Sequence, residues 1–320
     1  RMIITVTLNA AIDKTLEVPS FTPGRRHRTV DQTTMPGGKG VNIARAIKRL
    51  GQPVIVTGFA GGATGSRIIE ALDGESVLND FVRIEDESRT NTAVLDPTTG
   101  VHTEINERGP AVAASELEQF REKLVYLAQG ASICVFAGSI PRGVAPDVYH
   151  SLIRDVHRLG VTTMIDAEGE PLRLSMRAEP DLVSPNELEA EELVGHECND
   201  ADDRAGAVAE MVRLGAREAI MTVPDGCFAR IEGGDGPAVY RVTIPEQEVR
   251  SAVGSGDAFL AGYVSARYGG SAAVDCLRFG VACGAESTQH FGAGIIDPAR
   301  VERLLGEVGC ERLPEGAEVD

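Results

Sequence analysis

The composition of this 320-residue chain is that of an ordinary globular protein, since 42% of its residues are hydrophobic, enough for a large core, and 25% are charged. Its formal net charge is -17. This excess of acidic residues argues against nucleic acids and anionic membrane surfaces as partners, because both would repel the protein. An anionic ligand would therefore need a local cluster of basic side chains.

The six cysteines indicate neither a zinc site nor a disulfide framework. None is spaced as C-x-x-C and most lie in apolar segments, so we expect free thiols in a reducing cytoplasm. The chain starts with a strand-like segment, without a charged leader or a long apolar run, which predicts no signal peptide and no membrane span. The cysteines are Cys134, Cys198, Cys227, Cys276, Cys283 and Cys310.

The predicted elements divide the chain into a sheet core and two strand-rich excursions. Residues 2–8 predict a core strand that ends shortly before Asp13, at the edge where open α/β sheets bind ligands. The segments 14–35 and 86–107 are rich in strand-like runs and turns, and we expect them to meet in space as a small lid sheet. From residue 115 onward, helices alternate with strands, which predicts a mainly parallel sheet with helices on both faces.

The remaining predicted elements follow from apolar periodicity and from capping residues. Residues 230–250 are expected to form antiparallel strands, and a polar tail follows Gly309. Further strands are predicted over 54–59, 132–136, 162–165, 181–183 and 219–223. Helices are predicted over 43–50, 66–72, 115–129, 146–159, 187–194, 202–214, 257–268 and 272–289.

A glycine loop that runs into a helix, residues 251–262, is the most informative stretch. Gly254 and Gly256 let the backbone approach a bound group, and the helix that starts near Asp257 directs its unpaired N–H groups to the same point. Phosphoryl transfer needs both parts: donors for a phosphate and a base for the attacking hydroxyl. Taken alone, Asp257 could equally be a helix N-cap.

Two further polar clusters stand at predicted helix starts. The loop 37–42 combines three glycines with Lys39 and with Asn42, whose amide can bind a hydroxyl. Asn186 and Glu189 are spaced i, i+3 and could both address one magnesium-bound water. Taken alone, the glycine run could be a tight turn, and the second pair could be a helix-capping arrangement.

Several common catalytic and nucleotide-binding motifs are absent from the sequence. There is no Walker A motif, and Phe259 stands where the dinucleotide fingerprint G-x-G-x-x-G requires its third glycine. Neither G-x-S-x-G nor H-E-x-x-H occurs. A P-loop enzyme and a Rossmann dehydrogenase are therefore both disfavoured.

Two segments together resemble the paired signatures of the PfkB (ribokinase-like) carbohydrate kinases: PGGKGVNIAR at 36–45 and VGSGD at 253–257. The similarity covers nearly the whole chain. It implies a single α/β domain over 1–320 with the ribokinase-like three-layer fold and a small lid, and it implies ATP and Mg²⁺ as cofactors. The stretch 103–110 looks most like the sugar-phosphate branch, which contains 1-phosphofructokinase, tagatose-6-phosphate kinase and the minor 6-phosphofructokinase.

The resemblance also implies a role for each matching residue. Asp257 would take the proton of the sugar hydroxyl, while the N–H groups of Gly254, Ser255 and Gly256 hold the transferring phosphoryl group. Glu189 would reach the magnesium ion through a water molecule. The sugar phosphate would be bound by Asp13, Gly38, Lys39, Asn42, Arg89, Ser139 and Arg25. ATP would be bound by Asn186, Thr222, Gly226, Gly254, Gly256 and Gly284.

The resemblance implies phosphorylation of fructose 1-phosphate to fructose 1,6-bisphosphate, with tagatose 6-phosphate or fructose 6-phosphate as the alternative substrate. The partners are thus a sugar phosphate and ATP, and the resemblance implies a homodimer formed through the lid. A local cationic cup would suit a phosphorylated substrate in so acidic a protein. The cup would draw on Arg25, Arg26, Arg28, Lys39, Arg45 and Arg89.

Three departures from the family pattern lie on the ATP side. Ser251-Ala252 stands where the family has Asp-Thr or Asn-Pro/Ser, Ser184 stands where it has a lysine, and the segment 222–226 is one residue shorter. These departures leave open a sugar-phosphate-binding protein without kinase activity. A kinase for an unphosphorylated sugar or a nucleoside is the other alternative.

Overall fold

A computed structural model describes residues 1–314 and contains two sheets, one of ten strands and one of four. The strands are β1 (Met2–Thr7), β2 (Ala11–Glu17), β3 (Asp31–Gly37), β4 (Val54–Gly61), β5 (Leu78–Ile84), β6 (Arg89–Leu95), β7 (His102–Ile105), β8 (Ala131–Ala137), β9 (Thr162–Asp166), β10 (Leu182–Val183), β11 (Glu218–Val223), β12 (Gly226–Gly233), β13 (Gly236–Thr243) and β14 (Gly309–Arg312).

Ten α-helices within this range connect and cover the strands. They are α1 (Lys39–Arg49), α2 (Gly62–Gly74), α3 (Ala114–Ala128), α4 (Val148–His157), α5 (Gly169–Ser175), α6 (Glu187–Val194), α7 (Ala201–Arg213), α8 (Ser255–Tyr268), α9 (Ala273–Ser287) and α10 (Pro298–Leu305). A short 3-10 helix, Met176–Ala178, follows α5.

The large sheet has the order β14-β13-β12-β11-β10-β9-β8-β1-β4-β5. In this spatial order, neighbouring strands are parallel from β11 through β10, β9, β8, β1 and β4 to β5. Strands β12, β13 and β14 add an antiparallel edge. Its central strand shows why helices cover both faces: Ile3 and Ile4 are both fully buried, and they belong to two different hydrophobic clusters. Helices α1, α2, α8, α9 and α10 contribute to one cluster, and α3 to α7 contribute to the other.

The small sheet has the order β3-β2-β6-β7 and joins the two excursions that the sequence predicted to meet. Strand β2 pairs with β3 antiparallel and with β6 parallel, and this register sets Asp13 opposite Asn91. The expected second sheet is thus present. Its first two strands extend beyond the predicted segment, from Ala11 to Gly37, so the ligand-facing residues around Asp13 belong to this sheet.

Both glycine loops enter their helices earlier than the sequence predicted. Helix α1 begins at Lys39 rather than at residue 43, and α8 begins at Ser255 rather than at Asp257. Gly38 and Gly254 occupy the N-cap positions with φ of 96° and 77°, a region that glycine enters without steric cost. Lys39, Asn42 and Asp257 therefore lie within the first turns of helices rather than on the loops before them.

The predictions for the last part of the chain and for the helices were incomplete, and the prediction for the cysteines was confirmed. The segment after Gly309 was expected to be a polar tail, but its first three residues complete the edge strand β14 (Gly309–Arg312). The part of that prediction from 315 onward falls outside the described residues. Helices α5 and α10 were not predicted. All six cysteines are free thiols, as expected. Between residues 1 and 314, no helix is both long and apolar enough to cross a membrane.

Candidate active site

The first turns of α1 and α8 meet at the buried carboxylate of Asp257. The two helices pack against each other, and the amide Nδ2 of Asn42 donates a hydrogen bond of 3.0 Å to Asp257 Oδ2. Lys39 Nζ lies 3.8 Å from Asp257 Oδ1 and 3.4 Å from Asp166 Oδ1. Four polar side chains from three separate segments therefore converge at one point, where the carboxyl end of β9 faces two helix N-termini.

Burial dominates the electrostatics of Asp257. Only 8% of its side chain is exposed, and this burial raises the pKa of the carboxyl group to about 6, against the opposing attraction of Lys39. Its Oδ2 accepts the hydrogen bond from Asn42, whereas its Oδ1 accepts none from the residues that the structure describes. A carboxylate with one buried and uncommitted oxygen, and a pKa close to neutral, has the properties of a general base.

Lys39 lies between the carboxylates of Asp166 and Asp257. The attraction of Asp166 is the largest cause that raises the pKa of Lys39, so the lysine stays protonated although it is partly buried. The sequence placed this residue on the phosphate already carried by the substrate. In the structure its charge lies within 4 Å of both Asp166 and Asp257, at the candidate reacting centre.

A cavity of about 700 Å³ opens beside Asn42 and Lys39, between the small sheet and the helix N-termini. We call it the acceptor cavity. Asn91 Nδ2 donates to Asp13 Oδ1 at 3.3 Å inside it, and burial raises the pKa of Asp13 while this hydrogen bond opposes the rise. Of the residues predicted to bind the sugar phosphate, those that line the cavity are Asp13, Gly38, Lys39, Asn42 and Arg89.

Arg89 is held at the wall of the acceptor cavity by backbone carbonyl groups. Its Nε donates to the carbonyl of Asn9 at 3.1 Å and its Nη1 to the carbonyl of Glu107 at 3.3 Å. Ser139 Oγ accepts from Asn9 Nδ2 at 3.1 Å, which puts Ser139 behind this wall rather than among the lining residues. Arg25 is exposed and does not line the cavity, so its contact with the sugar phosphate stays a prediction.

Arg45 does not contribute to a cationic cup. Its Nε and Nη2 donate to the two carboxylate oxygens of Glu75 at 2.8 and 3.0 Å, and its side chain is only 5% exposed. The expectation was wrong because Arg45 lies on the turn of α1 after Asn42, where the helix surface faces protein instead of the cavity. Basic residues that do line the acceptor cavity are Lys14, Lys39, Arg89, His102 and Arg250.

A second cavity, of about 600 Å³, lies on the other side of the segment that precedes α8. We call it the donor cavity. The two cavities share Val249 and Ala252 in their linings, so they meet at this segment. Of the residues predicted to bind ATP, those that line the donor cavity are Asn186, Thr222, Gly226, Gly256 and Gly284, together with Ser255.

The donor cavity has an apolar wall and a wall of backbone donors. Val223, Pro224, Ile244 and Val281 line one side. Helix α8 begins on the other side without a side-chain cap from the described residues, and the space beside Gly256 is open. A helix N-terminus with uncapped N–H groups and open space in front is a site for an anionic group.

Asn186 and Glu189 form a capping box at the start of α6. The Glu189 N–H donates to Asn186 Oδ1 at 2.9 Å, and the Asn186 N–H donates to Glu189 Oε1 at 3.0 Å. Burial raises the pKa of Glu189, and the negative charge of Asp166 acts in the same direction. Across residues 1–314 there is no group of three or more His, Cys, Asp or Glu side chains arranged to hold a metal ion directly.

Three residues of the site were not identified from the sequence. Asp166 ends strand β9, so the strand-end argument used for Asp13 could have found it. Asn91 lies on β6 and is brought to Asp13 only by the parallel pairing of β2 with β6. Arg250 lines the acceptor cavity next to the glycine loop, and no local pattern distinguishes it from the other arginines.

The chain is similar to known sugar kinases along nearly its whole length. A model of the pfkB family carbohydrate kinases matches residues 5–300. A 1-phosphofructokinase from Borreliella burgdorferi is 31% identical over 312 residues, which cover 98% of this chain and 99% of that protein. The structure of phosphofructokinase-2 from Escherichia coli with fructose-6-phosphate is 27% identical, with a TM-score of 0.87 and coverage of 95% of this chain and 98% of that one. A Thermotoga maritima structure described as a possible 1-phosphofructokinase is 25% identical, with a TM-score of 0.88 and coverage of 98% of this chain and 100% of that one.

Proposed function

Since the chain belongs to the pfkB family of carbohydrate kinases, we propose that it transfers the γ-phosphoryl group of ATP to a hydroxyl group of a hexose phosphate. Fructose 1-phosphate, converted to fructose 1,6-bisphosphate, is the first candidate because the 1-phosphofructokinase relative is similar over its full length. The observation that carries the proposal is the position of Asp257. It is a buried carboxylate with a free oxygen in the uncapped first turn of α8. Asp257 itself lines neither cavity, but its hydrogen-bond partner Asn42 lines the acceptor cavity and the preceding Gly256 lines the donor cavity.

In the proposed reaction, Asp257 takes the proton of the attacking hydroxyl group as that oxygen bonds to phosphorus. Asn42 holds the Asp257 carboxylate in place through the hydrogen bond to Oδ2, which leaves Oδ1 for the proton. Lys39 keeps a positive charge beside the developing negative charge. Asp13 and Asn91, which face the same cavity, supply a carboxylate and an amide to orient the sugar hydroxyls.

The N–H groups at the start of α8 would hold the transferring phosphoryl group. The Ser255 N–H already donates to the Ala252 carbonyl at 3.3 Å. In the described structure no protein group accepts from the N–H groups of Gly254 and Gly256, so these two can point at the phosphate. In-line transfer then needs only that the hydroxyl group and the donor phosphate meet where the two cavities join.

The donor cavity fits Mg-ATP in its chemistry. The apolar wall suits a base, and the open space by Gly256 leaves room for phosphate oxygens. No lysine or arginine lines the cavity anywhere in residues 1–314, so the phosphate charge needs another counter-charge. That counter-charge would be the magnesium ion, which Asn186 and Glu189, with Asp166 nearby, would hold through water molecules. When bound, Mg²⁺ neutralises the phosphates.

The basic residues of the acceptor cavity favour a phosphorylated substrate over a free sugar or a nucleoside. Arg89 is fixed by two backbone carbonyl groups, and Arg250 forms no ion pair with any described residue. Both could bind the phosphate already on the sugar. Fructose 6-phosphate is the second candidate, because the similar phosphofructokinase-2 structure contains it. Free thiols suit a reducing cytoplasm, where we place the reaction.

The test is an ADP-release assay with ATP, Mg²⁺ and each of five acceptors: fructose 1-phosphate, fructose 6-phosphate, tagatose 6-phosphate, fructose and ribose. We expect turnover with a hexose phosphate, fructose 1-phosphate best, and little with the two free sugars. Equal turnover of fructose or ribose would contradict the phosphate preference. Calorimetry that detects sugar-phosphate binding, without ATP binding or ADP release, would show a binding protein instead of a kinase.

A further inference from the structure

One loop supports the glycine segment before α8 from two sides. This loop, residues 288–297 between α9 and α10, is called the support loop here. The carbonyl of Thr288 accepts hydrogen bonds from the N–H groups of Arg250 and Ser251, at 2.9 and 3.0 Å. Further along, Ala293 packs directly on Gly254, so closely that any side chain at Gly254 would meet it. The position of the Gly254 turn thus depends on where the support loop lies.

Arg45 anchors the support loop from the acceptor side. Its Nη1 donates to the carbonyl of Ala293 at 2.9 Å, while Nε and Nη2 hold Glu75. Gly294 packs on the guanidinium group. Arg45 stands three residues after Asn42 on α1, so a single helix carries both the partner of Asp257 and the anchor of the loop behind Gly254.

The small sheet reaches the same anchor. Met35 lies on β3, its Sδ is 3.8 Å from Arg45 Nη1, and Gly292 of the support loop packs against the end of its side chain. From α1, the guanidinium group therefore contacts the small sheet at Met35, the end of α2 at Glu75 and the support loop at Ala293. Only a planar cation with several donors can make these contacts together, because a lysine ammonium is a single point of charge.

We propose that Arg45 is a positioning residue of the kinase reaction, which fixes the Gly254 turn through the carbonyl of Ala293 and aligns it with Asn42 and with the small sheet. This inference rests on the function proposed above. Arg45 lines neither the acceptor nor the donor cavity and acts on the reaction only through the support loop. Its loss displaces the N–H donors from the place where the phosphoryl group passes, while the acceptor cavity keeps its lining.

The chain contains a matched control for this residue. Arg49 lies one turn further along α1 and also donates to Glu75, from Nη2 at 3.4 Å, but the described structure records no contact from it to Ala293 or Met35. Arg45→Lys keeps a buried positive charge for Glu75 and loses the simultaneous contact with Ala293. Arg49→Gln removes a partner of Glu75 and leaves the support loop untouched. The two pairs differ in strength, because Arg45 is buried and makes two bonds to Glu75 whereas the half-exposed Arg49 makes one long contact. If Arg45 acted only through Glu75, however, neither variant would change the exchange of the Arg250 and Ser251 amides, which are bonded to the support loop.

Two measurements on both variants test the proposal. The first is steady-state phosphorylation of the best hexose phosphate. We expect kcat of Arg45→Lys to fall by about 10- to 100-fold, as for a small misplacement of reacting groups, while KM for the sugar phosphate stays within about twofold. Arg49→Gln should retain kcat. The second is amide hydrogen exchange of the ligand-free protein, in which Arg250 and Ser251, whose N–H groups donate to the Thr288 carbonyl of the support loop, should exchange faster in Arg45→Lys than in Arg49→Gln.

Equal kcat values and equal exchange rates in the two variants would overturn the proposal. A rise in KM for the sugar phosphate at unchanged kcat would also overturn it, because that result puts Arg45 on the substrate. The exchange measurement needs no turnover, so it tests the anchor even if the wild-type chain phosphorylates none of the acceptors. If Arg45→Lys fails to fold, Gly294→Ala, whose Cβ would press on the guanidinium group, takes its place with the same two measurements.

Discussion

At the scale of single residues, the reactivity of Asp257 depends on one balance of forces around its carboxyl group. Burial raises the pKa of its carboxyl group, and the ammonium of Lys39 and the amide of Asn42 oppose that rise. The outcome, a pKa of about 6, keeps the group ionised at neutral pH and still basic enough to accept a proton. A more exposed aspartate would be a weaker base, and a buried one without Lys39 would have a still higher pKa.

The pH dependence of turnover follows from this balance. As the proposed general base, Asp257 would act in its ionised form, so kcat/KM should be constant above neutrality and fall tenfold per pH unit below about 6. A pH series of initial rates at low sugar-phosphate concentration measures it, with the ionisation of the sugar phosphate itself determined separately. A rate that stays constant down to pH 4.5 would exclude Asp257 as the base.

Burial of the ionised Asp257 carboxylate also lowers the free energy of unfolding of the protein. The pKa of Asp257 in the folded protein lies above the ordinary value of 3.8. The loss of folding stability is therefore complete above about pH 6 and disappears as the pH falls toward 3.8. We therefore expect Asp257→Asn to raise the free energy of unfolding at pH 8 by at most about 3 kcal/mol. Urea unfolding at pH 8 and at pH 4.5 measures the difference. A variant equally destabilised at both pH values would contradict the argument.

The sequence could identify some of these residues and not others. Asn42 and Asp257 stand in the first turns of helices, and such positions are recognisable from local pattern. Asp13 was found as a polar residue shortly after a core strand, although the structure places it within β2. The anchor role of Arg45 is not recognisable in this way. Its partners lie 30 and 248 residues away, at Glu75 and Ala293, and only the folded chain brings them together.

At the scale of elements, the first turn of α8 combines two glycines with different tasks. Gly254 has φ of 77° and packs on Ala293, so its task is to let the chain turn in a confined space. Gly256 lies inside the helix with no atom within 4 Å of where a Cβ would be. Its task is to leave the space in front of the helix N-terminus free. The sequence indicated both glycines but could not separate the two tasks, because the separation depends on Ala293.

Substituting alanine for Gly254 and, separately, for Gly256 should distinguish the two roles. Gly254→Ala should lower the free energy of unfolding by about 1–2 kcal/mol, the cost of a left-handed residue, in addition to the clash with Ala293, and it should also lower kcat. Gly256→Ala should unfold like the wild type yet bind ATP more weakly. Thermal unfolding and KM for ATP, determined on both variants, decide the matter. The assignment fails if Gly256→Ala is the less stable of the two or if its KM for ATP is unchanged.

At the scale of the whole molecule, the arrangement is a ribokinase-like α/β fold, as expected from the sequence and matched by the phosphofructokinase-2 structure. The alternation of helices and strands after residue 115 was sufficient to predict the parallel sheet. The edge strand β14 was not predictable, because Gly309–Arg312 is exposed throughout and has no apolar pattern. It becomes a strand only by pairing with β13.

The small sheet carries exposed apolar residues that fit the expected dimer. Val30, Val101 and Ile105 are 64%, 58% and 61% exposed, and all three lie in or beside its strands. We expect the protein to elute as a dimer in size-exclusion chromatography with light scattering, and Ile105→Glu to shift it to monomer. Tyr126→Glu, which changes a 74% exposed residue on α3, is the control and should remain dimeric. A wild-type monomer at every concentration would contradict the lid-mediated dimer.

The substitution Asp257→Asn is the sharpest test of whether Asp257 is the base of a hexose-phosphate kinase. Single-turnover and steady-state phosphorylation of fructose 1-phosphate should show kcat lower by on the order of 10²–10⁴-fold, the usual contribution of a general base. Calorimetry should show fructose 1-phosphate bound as tightly as by the wild type. Asp275→Asn, on the exposed side of α9, should behave as the wild type in both measurements. Near-wild-type kcat in Asp257→Asn would contradict the account.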